Sequence, residues 1–228
     1  MGDSITRLTA SNPVLADQLA AAGLKVDFVG AQKPAGSRPG LDTDCEGYNG
    51  RPIAFFTHHQ ASYGDEPFSD QCPMPSGVPL QVALEDFKPD VVLAMVGVNN
   101  LAGKTREIPV DELRAGLNTF LDRLEQWMPA GARVVVSTVP PANDAKDPAQ
   151  PHRNARHQAY NQQVVRPLVA ARIAAGKPYT LADPEPVMSP ADLNDLVHPT
   201  DEGKAKLNTV WAAAILKALG RPSPASKP

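Results

Sequence analysis

Apolar residues recur along this chain in two rhythms, and the alternation between them predicts the elements. After Asn12-Pro13, the residues Val14, Leu15, Leu19 and Ala22 fall at helical spacing, with Gly23 just beyond, which reads as a helix with proline at its start. Residues 26–29 then read as a short buried strand. From 30 to about 79 the chain is rich in Gly, Pro, Asp, Ser and Asn, a length of irregular sequence that compact domains keep mainly for function. Order resumes with a helix over 80–87, stopped by Lys88-Pro89, and an unbroken apolar run over 91–96 typical of a strand covered on both faces. Val110, Leu113, Leu117, Leu121, Leu124 and Met128 make a long amphipathic helix ended by Gly131, and 134–139 is the next strand. A helix near 156–175, a short strand near 179–182 and a last helix carrying Leu207, Val210, Trp211, Ala214 and Leu219 complete the pattern.

Strands alternating with helices predict an α/β fold, a three-layer doubly wound parallel sheet of the flavodoxin-like kind with helices on both faces. A single domain over 1–220 with a flexible tail over 221–228 accounts for the chain length. In such sheets ligands bind where strands end at their carboxyl side. Two polar clusters lie there: Gly97-Val98-Asn99-Asn100 follows the 91–96 strand, and Asp195 with His198 follows the last strand.

Charge narrows the partners. The formal net charge is −3, with Lys and Arg scattered, so the sequence shows no footprint for nucleic acid or an anionic membrane. No run approaches the roughly 20 apolar residues that cross a bilayer. The expected ligand is a small molecule. With no basic and then apolar opening, a cytoplasmic location is the default expectation, and a secreted or periplasmic one follows if a leader lies outside this sequence. Cys45 and Cys72 have no metal-ligand spacing and are either free thiols or one bridge.

A serine hydroxyl becomes a useful nucleophile when a histidine takes its proton and a carboxylate fixes that histidine's tautomer. Asp195 and His198, three apart in a turn that Pro199 stiffens, suit the last two roles, and Ser4 suits the first. Read alone, Asp195 is equally a turn residue and His198 a surface histidine.

Four separated blocks decide between those readings. Gly2-Asp3-Ser4-Ile5-Thr6, Glu46-Gly47-Tyr48-Asn49-Gly50, Gly97-Val98-Asn99-Asn100 and Asp195-Leu196-Val197-His198-Pro199 resemble, in order, the motif blocks of SGNH/GDSL hydrolases. The resemblance implies a serine esterase with the triad Ser4, Asp195 and His198, and an oxyanion hole from the N–H groups of Ser4 and Gly50 and the Asn99 side-chain amide. Three donors aimed at one developing negative oxygen are what acyl transfer requires. Gly30 competes with Gly50 as the backbone donor. The Val26-Asp27-Phe28-Val29-Gly30 segment, the Glu46-Gly47-x-x-Gly50 loop and the Val197-His198-Pro199-x-Asp201-Glu202-Gly203 stretch look most like the branch containing carbohydrate acetylesterases, which implies short acyl groups on sugar hydroxyls. Asp3, Tyr48 and Asn100 are then candidate substrate contacts, and Tyr48, Phe55, Phe56, Tyr63 and Phe68 form either a sugar platform or packing that holds the loop down.

Two features depart from that family's pattern. The asparagine block ends in Asn100 rather than Asp, replacing an organising carboxylate by a neutral amide. Only Met1 precedes Gly2, so the first central strand is missing, and the exposed edges predict marginal stability or pairing with a second copy. Ser4 would sit on a frayed terminus, near an amino group of intrinsic pKa about 7.7 to 8. Adjacent His58 and His59 are expected to face solvent rather than bind metal, and His152 and His157 receive no role. The expected activity is hydrolysis of short-chain acyl esters or acylated carbohydrates through Ser4, without metal or organic cofactor. Transfer to another acceptor, or carbohydrate binding by an impaired relative, are the alternatives.

Overall fold

A computed structural model of the chain describes residues 1–58, 78–102, 108–149 and 152–222. His59, Tyr63, Phe68, Cys72 and the end of the expected tail lie outside the described residues.

Three strands, β1 (Val91–Ala94), β2 (Arg133–Ser137) and β3 (Tyr179–Ala182), form a parallel sheet in that order. Their register sets Val92 beside Val134 and Val135 beside Thr180. Residues 134–137 of β2 are all buried, whichever face they point to, so both faces of the sheet are covered. Helix α1 (Ser4–Ala10) and α2 (Val14–Ala21) open the chain. Short α3 (Ile53–Thr57) precedes α4 (Pro79–Phe87), and α5 (Val110–Trp127) links β1 to β2. Between β2 and β3 run α6 (Arg153–Tyr160) and α7 (Arg166–Ala174), and α8 (Asp201–Ala218) closes the fold. Helix α8 lies against all three strands and carries α2 and α1, while α3, α4 and α5 pack on one another. None of the described helices is long and apolar enough to cross a membrane.

The architecture is the α/β sheet that the alternation predicts, with four corrections. The helix expected near 156–175 is α6 and α7 joined by a π-helical turn, Asn161–Val165. Pro167 lacks an N–H, which takes from the Gln163 carbonyl the donor it would have four residues on in an α-helix. Arg114 supplies the missing donor from α5, 3.2 Å away. Helices α1 and α3 escape a reading of periodicity because seven and five residues are too few to repeat an apolar face.

Residues 26–29 do not form the expected strand. A strand needs a neighbour along its length, and here the central place holds a single residue, Gly2, which bridges in parallel to both Met95 and Gly47. The Phe28 N–H is satisfied instead by the Asp42 carboxylate at 2.7 Å, and Val26 stays exposed. Neither is the amino end frayed. The Met1 ammonium donates to the Leu93 carbonyl, the Met1 carbonyl accepts from Met95 N–H, and Gly2 exchanges bonds with Glu46 and Tyr48. Burial lowers the pKa of that ammonium, against the pull of Cys45, Glu46 and Asp3.

Gly97 joins β1 to the polar loop that follows. Its φ is +114°, and a Cβ there would sit 2.7 Å from the Tyr160 ring. Strain and overpacking each cost about 1–3 kcal/mol. Gly97→Ala is therefore expected to lower stability by at least about 2 kcal/mol in equilibrium urea unfolding, and an unchanged midpoint would refute the packing argument.

Candidate active site

Ser4 is the first residue of α1. Asp3 caps that helix by accepting the Ile5 N–H at 3.0 Å, leaving the Ser4 N–H among the first-turn donors that have no intrahelical acceptor. Gly2 has no room for a side chain: a Cβ would lie 2.2 Å from Thr6 Oγ1 and 2.3 Å from the Met95 carbonyl. Contact between Gly2 and residues 95 and 47 thus brings the serine block onto the ends of the other two blocks.

The Asp195-to-His198 turn is built by its own carboxylate. Asp195 Oδ1 accepts the Val197 and His198 N–H groups at 2.9 and 2.8 Å, and Leu193 bridges Pro199 to close the turn. Asp195 Oδ2 then meets His198 Nδ1 at 2.7 Å. Burial alone would raise this carboxyl's pKa, but the two N–H groups and the imidazole outweigh it and the net pKa is lowered. An ionised carboxylate only accepts, so Nδ1 carries the hydrogen and Nε2 keeps its lone pair. Ser4 Oγ lies 2.9 Å from that Nε2. Asn208 of α8 holds the other end of α1 by donating to the Thr9 and Asn12 carbonyls, which fixes the serine helix against the element that follows His198.

Asn99 and Asn100 sit in a 3-10 turn, Val98–Ala102, after β1. Asn99 Nδ2 donates to the Arg51 carbonyl at 3.1 Å, which ties it to the residue after Gly50. Asn100 Oδ1 accepts the Ile53 N–H at 2.9 Å. The amide at this position therefore still organises the facing loop, because that task needs only one acceptor oxygen. Gly50 is exposed with φ +70°, a conformation glycine adopts without a Cβ penalty. Gly30 is packed instead: a Cβ would stand 2.2 Å from the Cys45 carbonyl carbon, so this glycine serves backbone contact.

The Asp3 and Tyr48 side chains, expected as substrate contacts, are buried instead. They are 1% and 2% exposed. Tyr48 donates to Glu46 and stacks with Phe55 and Phe56, so the aromatic residues described here are packing rather than a platform. Asn100 is partly buried with its acceptor engaged. His58 is exposed, with Nδ1 2.9 Å from the Ala54 carbonyl. Among the described residues, no three His, Cys, Asp or Glu side chains converge as a metal group, and Cys45 is a buried free thiol.

Sequence reasoning missed the buried polar residues behind the site. Arg153, His157, Tyr160 and Asn161 are all buried, and their spacing puts them on one helical stripe. A helix with almost no apolar stripe, Arg-Asn-Ala-Arg-His-Gln-Ala-Tyr, was the available signal that a polar face is the one packed inward.

The sequence profile of the GDSL-like lipase/acylhydrolase family matches residues 1–206. No curated protein sequence matches the chain. Among solved structures, an acetyl esterase variant with bound acetate is similar at TM-score 0.74 and 23% identity over 96% of each chain. A carbohydrate esterase family 3 protein from Talaromyces cellulolyticus gives 0.72 and 23%, again over 96% of each chain. An acetylxylan esterase from Geobacillus stearothermophilus gives 0.51 and 16%, over 99% of this chain and 94% of that one. At these identities the likeness is one of fold.

Electrostatics at Asp3 make a pH test. Burial pushes its carboxyl up to about 6 despite the Ile5 N–H, His198 and Arg153, and Oδ2 has no hydrogen-bond partner among the described residues. An acid that holds its proton longer when folded loses stability as pH rises from 3.8 to about 6. Burial drives His157 down to about 4 from 6.5, so it contributes stability that grows over nearly the same window, and the two slopes oppose in the wild type. Asp3→Asn keeps an equally good cap and removes only the first slope. Its stability relative to wild type should rise by on the order of 3 kcal/mol from about pH 4 to 7 in urea unfolding. A difference independent of pH would show that Asp3 does not titrate there.

Proposed function

The chain belongs to the GDSL-like lipase/acylhydrolase family and is a carboxylic ester hydrolase; we propose that it works through an acyl-enzyme on Ser4 and removes short acyl groups of the acetyl kind. The observation that carries the mechanism is the continuous relay from Ser4 Oγ to His198 Nε2 at 2.9 Å and from His198 Nδ1 to Asp195 Oδ2 at 2.7 Å.

In this reading Ser4 Oγ attacks the ester carbonyl while its proton passes to His198 Nε2. The carbonyl oxygen becomes an oxyanion, received by the N–H groups of Ser4 and Gly50 and by Asn99 Nδ2. Collapse of the tetrahedral intermediate breaks the ester C–O bond, and His198 returns the proton to the departing alcohol. Water then attacks the acyl-serine, giving its proton to His198, and the free acid and Ser4 hydroxyl are restored. Asp195 stays ionised and steadies the imidazolium.

The substrate class rests on two supports. The glycine-block and final-block segments resemble carbohydrate acetylesterases, and three relatives of the same fold are described as an acetyl esterase, a carbohydrate esterase and an acetylxylan esterase. His198 and Asp195 side chains are 33% and 55% exposed, so the leaving-alcohol side is open enough for a sugar. The same opening admits an alcohol in place of water, which is the acyltransferase alternative.

Ser4→Ala should abolish hydrolysis of p-nitrophenyl acetate in a protein that elutes as the folded wild type, and equal rates for the two would end the nucleophile assignment. Asn99→Ala should lower kcat by about 100- to 1000-fold, as loss of one oxyanion donor does elsewhere. Product analysis with competing alcohols separates hydrolysis from transfer, since a transferase forms the new ester in preference to free acid.

A further inference from the structure

The stripe on α6 and the first residue of the π-helical turn after it bind the backbone where β1 and β2 end. Arg153 Nη2 donates to the Val98 carbonyl and Tyr160 OH to the Val96 carbonyl, each at 3.1 Å, beyond β1. Beyond β2, His157 Nδ1 meets the Pro140 carbonyl at 2.8 Å, and Asn161 holds both the N–H and the carbonyl of Val139 at 2.9 Å. All four side chains are between 0 and 4% exposed.

Within the stripe the bonds have a direction. The Pro140 carbonyl can only accept, so His157 Nδ1 carries the hydrogen. Its Nε2, on a ring that burial keeps neutral, accepts from Arg153 Nε at 3.4 Å. A chain of hydrogen bonds thus runs from Pro140 through the imidazole and the guanidinium to Val98, the neighbour of Asn99. The fork is needed here: an ammonium is a single point donor and does not span His157 and Val98 with the same planar geometry.

We infer that Arg153 is a positioning residue for acyl transfer, holding the Val98 carbonyl so that the adjacent Asn99 amide is aimed at the oxyanion. This rests on the reading of Asn99 as an oxyanion donor. A side chain that only filled space would affect stability and leave the chemical step alone. One that sets Asn99 must lose its influence on kcat once the Asn99 amide is gone.

The test is a double-mutant cycle of Arg153→Lys and Asn99→Ala in the full chain, with kcat and KM for p-nitrophenyl acetate measured separately. Arg153→Lys should lower kcat by about 10- to 100-fold, the usual cost of losing a group that orients a functional one. KM should move by less than about twofold, since the loss falls on the transition state. In the Asn99→Ala background the same substitution should change kcat by less than about threefold. Wild-type kcat in Arg153→Lys, or an undiminished loss in the Asn99→Ala background, overturns the inference while leaving the oxyanion reading intact. Unchanged kcat in Asn99→Ala alone overturns both. Where Arg153→Lys does not fold, His157→Asn, which removes the imidazole Nε2 that accepts from the guanidinium, enters the same cycle, and an additive loss there overturns the inference.

Discussion

The backbone contact at Gly2 is the constraint on which the rest of the site depends. One residue bridges Met95 on one side and Gly47 on the other, and so joins the serine block to the ends of two further segments. The contact tolerates no side chain, because Thr6 Oγ1 and the Met95 carbonyl occupy the place of a Cβ. Directly after it the chain turns into α1, with Asp3 as cap and Ser4 as first helical residue. The position of the Ser4 backbone therefore follows from this close approach and from the Asp3 cap, and His198 then meets the hydroxyl.

Around that contact, the site is organised by hydrogen bonds made within the protein. The Asp195 carboxylate folds its own turn with one oxygen and orients His198 with the other. Asn100 and Asn99 tie the loop after β1 to residues 51 and 53. Behind them α6 engages the carbonyls that follow β1 and β2. Buried polar groups of this kind are costly when unpaired, so a set that is largely satisfied gives one geometry rather than several. Asp3 is one of several exceptions among the described residues, with one carboxyl oxygen buried and without a hydrogen-bond partner. Its raised pKa is the physical consequence of that burial.

The sheet and the residues at its ends were legible in different degrees. Runs of Val and Leu marked β1 and β2, and the period of α5 was plain from Val110 onward, because burial on both faces or on one stripe writes itself into the local sequence. Four motif blocks named Ser4, Asn99, Asp195 and His198 for the same reason, being short and locally complete. The reading failed where structure depends on a partner distant in sequence. Residues 26–29 have strand-like composition but no strand beside them, and Tyr48, which looked like a ligand contact, is turned inward against Phe55 and Phe56.

By itself, then, the sequence determined the parallel α/β class and the residue types of a serine ester hydrolase, since hydrophobic period and short motifs are local properties of the chain. Tertiary structure alone decided that Gly30 packs against Cys45 while Gly50 stays exposed, that the amino end is pinned inside the sheet, and that Arg153 and His157 stand behind Asn99. Those outcomes rest on contacts between residues tens of positions apart, and no local pattern records which distant group will fill a buried hydrogen bond.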